Sequence, residues 1–540
     1  MSASESLLPA ALLIPLVAAL LVLLGAPARK TSLFAAGLNV LVVLVQCLAY
    51  RSPFAYTLFD VLPALDLKFL VGLDGLSLMM VVLTTLVTLG AVWMTSRVEG
   101  NENAFYSSLL FISAGAVGAF ISFDLFFFYA FHELALIPTF LLIGIWGHGE
   151  NRVAAAWKIT IYLAVGSFVL LVGLIGLYSS LPATDRTFDL IKLRELAATT
   201  GGIAPGAQRW IFPLVLAGFG ILISLFPFHT WAPQAYAAAP TPAAMLHAGV
   251  LKKFGLYGLL RVAMPLLPEG MQHWMNVLVV LLIGNILFVG YVAIAQKRLD
   301  LLLGYSSVMH MGYIFLGIAS LNIIGLSGAS VMMFAHGLSV AVLFAVAGEV
   351  RARTGTMRLD ELGGLAKPMP YLAVVFGLAT FASIGLPGFA NFASELMVFF
   401  GAFGHNAGAA GMAAAASHRF DLIQIATVCA LWGVVVSAIY MLRAYRRVFL
   451  GPLRATAPGA EAVAALPAAG DLAGSRRWAL ALLVAGLVVV GIQPGLLVKA
   501  LEPVLSKTLP ANVSEPRDRV APSPTGQISA VPAVPRAPQG

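Results

Sequence analysis

Long apolar stretches recur along the chain, and the short segments between them contain most of the basic residues. A helix needs about 20 apolar residues to cross the hydrocarbon core of a bilayer. The pattern predicts an all-α integral membrane protein with about fourteen transmembrane spans, of which the twelfth is long enough to be broken. The spans lie near residues 7–25, 32–50, 71–94, 105–122, 124–146, 154–180, 210–230, 242–264, 274–296, 301–320, 325–348, 370–402, 424–449 and 477–500.

The composition excludes a soluble protein. Of the 540 residues 60% are hydrophobic and only 10% are charged, whereas soluble domains carry about 25% charged residues. The two cysteines, Cys47 and Cys429, lie far apart in apolar runs, which favours small buried hydrophobic residues over a disulfide or a metal site. The first apolar run precedes its basic residues, which indicates a first membrane helix rather than a cleaved signal peptide.

The basic residues between the spans predict the orientation. With the N-terminus outside, sixteen of them fall in inner loops and seven in outer loops, and such an excess marks the cytoplasmic side. The inner set is Arg29, Lys30, Arg97, Arg152, Lys297, Arg298, Arg351, Arg353, Arg358, Lys367, Arg443, Arg446, Arg447, Arg454, Arg476 and Arg477; the outer set is Arg51, Lys68, Arg186, Lys192, Arg194, Arg209 and Arg419. Both termini are therefore expected outside, and the net charge of +8 indicates topology rather than nucleic-acid binding.

Ionisable residues inside the apolar spans are the main functional signal. Each one costs about 2.5–3.5 kcal/mol at the centre of a membrane helix, so it needs a partner or a function. Glu133, Lys253 and Glu395 are expected too deep to reach water without a cavity, and His310 and His336 occupy the tenth and eleventh spans. Acids, lysines and histidines distributed over several spans are what a proton relay requires.

A second group of candidates also has an ordinary structural interpretation. Lys158 lies early in the sixth span, where its long side chain could reach the interface. Lys252 directly precedes Lys253 in the eighth span. His132, His247 and His405 are as easily structural hydrogen-bonding groups as relay members.

Two spans are predicted to be interrupted. The seventh span ends in the segment 225–233, which contains Pro227 and Pro233, and Pro387 and Gly388 lie inside the twelfth span. Irregular backbone at membrane depth is tolerated only inside protein or beside a hydrated cavity. Breaks at corresponding positions of two halves indicate an inverted-repeat transporter, and the five-span offset between these two inverts the second unit.

Eight segments together resemble one known family. They are residues 71–77 (VGLDGLS), 123–138 (FDLFFFYAFHELALIP), 141–147 (LLIGIWG), 225–231 (LFPFHTW), 304–312 (GYSSVMHMG), 334–339 (FAHGLS), 384–388 (IGLPG) and 446–451 (RRVFLG). These motifs resemble chain M of NADH-quinone oxidoreductase, the antiporter-like proton-translocating subunit family of respiratory complex I. The resemblance covers about residues 65 to 455.

The resemblance implies a membrane-arm subunit of a bacterial inner-membrane enzyme that moves protons while other subunits transfer electrons from NADH to quinone. It implies neighbouring antiporter-like chains L and N, with FMN, iron–sulfur clusters and quinone held by partner subunits and no cofactor or metal in this chain. It also implies two inverted repeats, spans 4–8 and 9–13. The expected divisions are residues 1–104, 105–264, 265–450 and 451–505, followed by a disordered tail at 506–540.

By motif, the resemblance assigns relay positions to residues of this chain. Glu133 matches the glutamate of the fifth span and Lys253 the lysine of the eighth. His310 and His336 match the linking histidines, and Glu395 matches the glutamate near the exit side.

One departure from the family pattern affects the expected mechanism. Leu222 stands where the family has a lysine, seven residues before the histidine of the Pro-Phe-His motif, so Glu133 lacks its expected partner. The Asp-Ala-His that usually follows is replaced by Gln234-Ala-Tyr236. The chain is therefore either rerouted or a partly silent channel. The candidates to replace the lysine are His132, Lys158, His247, which resembles the sister chain L, and Lys252.

Three other functions share some of these features. A subunit of a multi-subunit Na+/H+ antiporter has the same fold and most of the motifs. A subunit of a membrane-bound hydrogenase or formate-linked complex is a second alternative. A membrane scaffold without an ion path is the third, and the buried charges argue against it.

Rerouting through the eighth span predicts that Lys252→Ala and His247→Ala each lower proton translocation by the assembled complex, because the span would supply the charge that the seventh has lost. Proton uptake into membrane vesicles measures this. Unchanged translocation in both variants would contradict rerouting.

Overall fold

The computed structural model describes residues 3–95, 98–199, 202–405, 420–454 and 471–509. Its helices are α1 Ala3–Leu23, α2 Ala28–Ala49, α3 Gly75–Met94, α4 Glu102–Ile121, α5 Leu125–Trp146, α6 Arg152–Ser179, α7 Leu190–Thr199, α8 Pro205–Ile223, α9 Trp231–Ala238, α10 Thr241–Leu246, α11 Lys253–Gly258, α12 Met264–Leu266, α13 Pro268–Ile283, α14 Val289–Ala295, α15 Leu299–Ala319, α16 Ile323–Thr354, α17 Pro370–Ser383, α18 Ala390–Phe403, α19 Leu422–Phe449, α20 Arg476–Ile492 and α21 Gly495–Leu505. Two strands, β1 Phe54–Leu62 and β2 Leu67–Leu73, form one antiparallel hairpin.

The predicted all-α membrane fold is confirmed. Within the described residues, eleven helices are long and apolar enough to span a membrane, or twelve if α20 and α21, bent by 72°, form one span. The predicted eighth and twelfth spans are absent from that count because both are interrupted. The eighth comprises α10, α11 and α12 joined by the π-helical turns His247–Leu251 and Leu259–Ala263, and the twelfth comprises α17 and α18. The total of fourteen and the inverted repeats stay predictions.

The third span was placed too early. The sequence predicted helix from residue 71, but β2 extends to Leu73 and pairs with β1, and α3 begins only at Gly75. Asp74 caps the helix by accepting a 3.0 Å hydrogen bond from the Ser77 amide. A short apolar run does not distinguish a strand from a helix, and pairing with the preceding strand β1 decided between them.

Burial separates the helices into a central and a peripheral group. In α16, 94% of the most apolar window is buried, and α3, α4 and α15 reach 89%. The corresponding share is only 33–39% in α1, α2, α5, α6 and α19. A helix that is apolar all round and buried is surrounded by protein, so α15 and α16 provide the most enclosed positions for polar side chains.

Ion pairs gather at the two ends of the bundle. Asp300 accepts from Arg298 at 2.7 Å and from Arg351 at 2.5 Å, at the end predicted to be cytoplasmic. At the opposite end, Lys68 pairs with Asp189 at 3.0 Å beside the hairpin. Two residues used to predict orientation, Arg97 and Arg419, lie outside the described residues, as does most of the predicted tail, residues 510–540.

The close approach of α21 to the start of α3 generates a stability prediction. A Cβ at Gly75 would overlap the carbonyl of Ala500, whereas a Cβ at Gly206, in the first turn of α8, meets nothing within 4 Å. We expect Gly75→Ala to destabilise the protein by about 1–3 kcal/mol, the usual cost of overpacking. The matched control Gly206→Ala should be neutral or slightly stabilising. Thermal unfolding of the purified protein measures both, and equal melting temperatures would contradict the packing.

Candidate functional site

A buried lysine lies in the middle of the eighth span. Lys253 begins α11 directly after a π-helical turn and is fully buried. Its Nζ donates a 2.6 Å hydrogen bond to the Ala248 carbonyl and lies 2.9 Å from Nδ1 of His336 on α16. Single π-turns within α-helices are frequent at functional sites. The lysine therefore has one fixed acceptor and one titratable partner.

Lys253, His336 and His310 form a buried row of titratable side chains. Its third member, His310, lies on α15. Its ring centroid lies 5.6 Å from that of His336. Its Nδ1 lies 2.7 Å from the carbonyl oxygen of Ser306, and its Nε2 lies 2.9 Å from the carbonyl oxygen of Ser383. A carbonyl only accepts, so both contacts are satisfied together only when both ring nitrogens carry hydrogen. These two contacts therefore favour the doubly protonated ring over either neutral tautomer.

The row reaches the interruption of the twelfth span. Ser383, which contacts His310, is the last residue of α17, and the chain then passes through Gly385 at φ +71° before α18 begins. A Cβ at Gly385 would overlap the carboxylate of Glu395, which is 5% exposed. His310 and Glu395 thus contact the same break two residues apart. Pro387 and Gly388, predicted as the break, lie within it.

Glu133 is expected too deep to reach water without a cavity, and this stays a prediction. Within this chain its side chain is 34% exposed. The reason is that only a third of the apolar window of α5 is buried, so part of this helix faces outward. Its carboxylate lies 3.6 Å from Nδ1 of His132, whose ring stacks on Phe254 at 4.1 Å, next to Lys253.

Of the four candidates to replace the missing lysine, only His132 has a recorded contact with Glu133 among the described residues. The other three contact different groups. Lys158 donates a 3.0 Å hydrogen bond to Oε1 of Gln234. Nζ of Lys252 lies 3.4 Å from Oγ of Ser307 and 5.5 Å from the ring centroid of Tyr236, and Nδ1 of His247 lies 3.4 Å from the Tyr236 hydroxyl. Gln234 and Tyr236 are the two altered motif positions. Gln234 is thus the partner of Lys158, and Tyr236 is the partner of Lys252 and His247. Leu222 is 3% exposed and packs among apolar side chains.

The interruption after the seventh span is stabilised by an asparagine that sequence reasoning missed. The helix ends at Ser224, which has a left-handed φ of +70°. Asn285 donates to the Ser224 carbonyl at 3.2 Å and accepts from the Phe226 amide at 2.6 Å. Pro227 lies in this break, but Pro233 lies in the first turn of α9, where a missing N–H costs no helical hydrogen bond. Asn285 was detectable as the single amide between Val277 and Ala295.

An open cavity of about 660 Å³ leads to Lys158 from the end predicted to be cytoplasmic. His148, Gln234 and Arg298 also line it. Burial, and then the charge of Arg351, lower the pKa of His148 to about 4, so it is neutral at neutral pH. His405, the remaining candidate, contacts the Ser320 carbonyl at 2.7 Å in the loop after α18 and is not part of the row.

Known proteins resemble this chain in sequence and in fold. A family profile described as NADH:quinone oxidoreductase/Mrp antiporter, TM, matches residues 122–420. The Picosynechococcus sp. protein named NAD(P)H-quinone oxidoreductase chain 4 3 is 37% identical over 393 residues, 72% of this chain and 68% of that protein. Rickettsia felis NADH-quinone oxidoreductase subunit M is 36% identical over 393 residues, 73% of this chain and 75% of that protein. A chain of respiratory complex I from Thermus thermophilus with bound NADH superposes with a TM-score of 0.81 at 29% identity, covering 94% of this chain and 99% of its own.

The contact between Glu395 and the break generates a matched pair of variants. Gly385 and Gly388 both have left-handed φ angles, +71° and +96°, so alanine brings backbone strain at both. Only the Cβ at Gly385 meets Glu395, and a Cβ at Gly388 meets nothing within 4 Å. We expect Gly385→Ala to reduce proton translocation at least about tenfold, since a displacement of about 1 Å can cost about a hundredfold. Gly388→Ala should reduce it far less. Equal losses in vesicle assays would make the contact irrelevant.

Proposed function

We propose that this chain, which belongs to the NADH:quinone oxidoreductase/Mrp antiporter membrane family, translocates protons across the membrane as a subunit of an NADH:quinone oxidoreductase. The carrying observation is the buried row of Lys253, His336 and His310, which ends at the break beside Glu395. The two relatives are named as subunits of quinone oxidoreductases, and we transfer that assignment here.

In the proposed relay, Lys253 passes a proton from Nζ to Nδ1 of His336 over their 2.9 Å contact. His336 then passes the proton to His310, whose two carbonyl contacts stabilise the doubly protonated ring. The break lets His310 and Glu395 share one irregular stretch of backbone, and Glu395 is proposed as the acceptor on the exit side. Within the described residues His310 and Glu395 form no hydrogen bond with each other, so this last transfer is assigned to intervening water.

The first half of the route is proposed to avoid the seventh span. Leu222 carries no proton, so the charge must come from neighbouring helices. We assign uptake to the cavity at Lys158 and transfer to Lys252 and His247, which meet at Tyr236. His132 is proposed to provide the partner that Glu133 has lost.

The wider assignments belong to the same proposal. The chain would lie in a bacterial inner membrane with both termini outside, between antiporter-like chains L and N, and would have two inverted repeats. Flavin, iron–sulfur clusters and quinone would be held by partner subunits. Electron transfer in those subunits would drive the relay, and this chain itself would perform no redox chemistry.

A Na+/H+ antiporter subunit is the main alternative, since the family includes Mrp antiporters. The row consists of an amine and two imidazoles, which bind protons, whereas Na+ is a hard cation that prefers oxygen ligands. This chemistry favours protons as the transported ion. Transport that fails when Na+ is withdrawn would favour the antiporter instead.

The test of the proposed function is Lys253→Met in the assembled enzyme. We expect protons translocated per NADH oxidised to fall at least about tenfold, because removing a positioned proton-transfer group costs a factor of about a hundred or more. Lys297→Met, in an exposed loop, is the matched control and should leave coupling unchanged. A pH-sensitive dye in vesicles measures translocation, with NADH oxidation followed in parallel. Normal coupling in Lys253→Met would refute the relay.

A further inference from the structure

A second group of buried charges lies at the other end of the eighth span, and the relay does not use it. Arg261 is 1% exposed and forms a bidentate salt bridge with Asp74. Nη1 donates to Oδ2, and Nη2 donates to Oδ1 at 2.7 Å. Nη2 also donates to the Ser77 hydroxyl at 2.8 Å. Fork-to-fork pairing of this kind fixes the guanidinium in one orientation.

Aromatic side chains seal the same group. Nε of Arg261 donates to the Tyr257 hydroxyl at 3.0 Å, and that hydroxyl donates to the Phe120 carbonyl at 2.9 Å. The guanidinium carbon lies 4.7 Å from the ring centroid of Phe123 and 5.0 Å from that of Tyr257. The charge is therefore enclosed by rings that attract a cation and leave little room for water.

A second arginine gives the cluster an excess of positive charge. Arg194 of α7 donates to the backbone carbonyl of Arg261 at 2.8 Å. Its Nε is buried, with no hydrogen-bond partner in the part of the chain that the structure describes. Burial, and then the charge of Arg261, lower the pKa of Arg194 to about 10, so it stays charged at neutral pH. Two guanidinium groups thus face one carboxylate, that of Asp74.

The cluster lies in line with the relay lysine. Tyr257 and Arg261 follow Lys253 by four and eight residues on the same span, so the guanidinium lies about 12 Å along the helix axis, at about 1.5 Å per residue. The cluster also contacts the start of α3 and the helix α7, at the end predicted to face outside. It therefore lies between Lys253 and the end of the bundle that is predicted to face outside.

We infer that Asp74, Arg261 and Arg194 form an electrostatic plug that keeps protons on the outer side from returning to Lys253. Fixed positive charge in a dry, narrow passage repels protons and other cations. A guanidinium keeps its own proton, so it cannot act as a relay step. The inference rests on the proposed function, because a plug is needed only if Lys253 carries protons against the membrane potential.

A buried ion pair alone would be weak evidence of stabilisation, since desolvation offsets much of the attraction. An Asp74–Arg261 pair that only stabilised the fold would not need the second guanidinium, that of Arg194. The plug therefore predicts a passive property of the membrane that is independent of electron transfer.

The test measures passive proton leak in vesicles that contain the assembled complex, with no NADH added and a K+ diffusion potential imposed. We expect Arg194→Gln, which leaves the Asp74–Arg261 pair intact, to raise the leak roughly tenfold, as the loss of one nearby charge should. Arg194→Lys should restore a low leak. Adding Lys253→Met to Arg194→Gln should also abolish the leak, because the path below the plug is cut.

Arg443→Gln is the matched control. Arg443 also donates to one backbone carbonyl, that of Gln296 at 3.2 Å, and also has a buried Nε with no partner among the described residues, but it lies at the opposite end. Its leak should equal that of the unmodified complex.

A second variant, Arg261→Gln, leaves Arg194 opposite Asp74 with no excess positive charge, and its leak should also rise. An unchanged leak in either assembled variant would overturn the plug. If neither cluster variant assembles while Arg443→Gln does, the cluster only stabilises the fold, and the plug is likewise refuted. If the leak is unchanged but pumping still requires Lys253, the plug is refuted and the proposed function stands.

Discussion

An amine or a carboxylate inside a low-dielectric bundle must have a partner, and the rest of this structure is arranged around that requirement. Lys253 satisfies it through Ala248 and His336, both fixed by the packing of the central helices. α15 and α16 are almost completely enclosed, which excludes bulk water and leaves the histidines as the accessible proton acceptors. The same constraint explains the tight pairing of Arg261 with Asp74 near the other end.

The two helix breaks solve the corresponding problem for the backbone. Unpaired carbonyl and amide groups at membrane depth need partners from within the protein. At the first break Asn285, a neutral amide, supplies them. At the second, His310 contacts the carbonyl of Ser383, so the group that satisfies the backbone is itself titratable. The second break can therefore couple helix geometry to protonation, whereas the first can only position the chain.

The loss of the seventh-span lysine changes the neighbourhood as well as the position. Leu222 packs as an ordinary apolar residue, while Gln234 and Tyr236, the altered motif residues, contact Lys158 and His247 and lie beside Lys252. Substitutions that appear independent along the sequence thus meet in space. This clustering is the physical basis of the displaced proton route that we propose.

The sequence by itself determined the membrane character, the positions of most spans, both interruptions and the presence of Lys253, His310, His336 and Glu395 inside the spans, because each follows from local hydropathy or from proline and glycine chemistry. The tertiary structure decided which of those residues meet. It placed Glu133 partly at the surface, turned residues 71–73 into a strand, joined Lys253 to His336 and revealed the contacts of Asn285 and Arg194. The strand depends on pairing with the preceding β1. The other outcomes depend on which helix faces lie together, and this is set by packing between segments far apart in the chain.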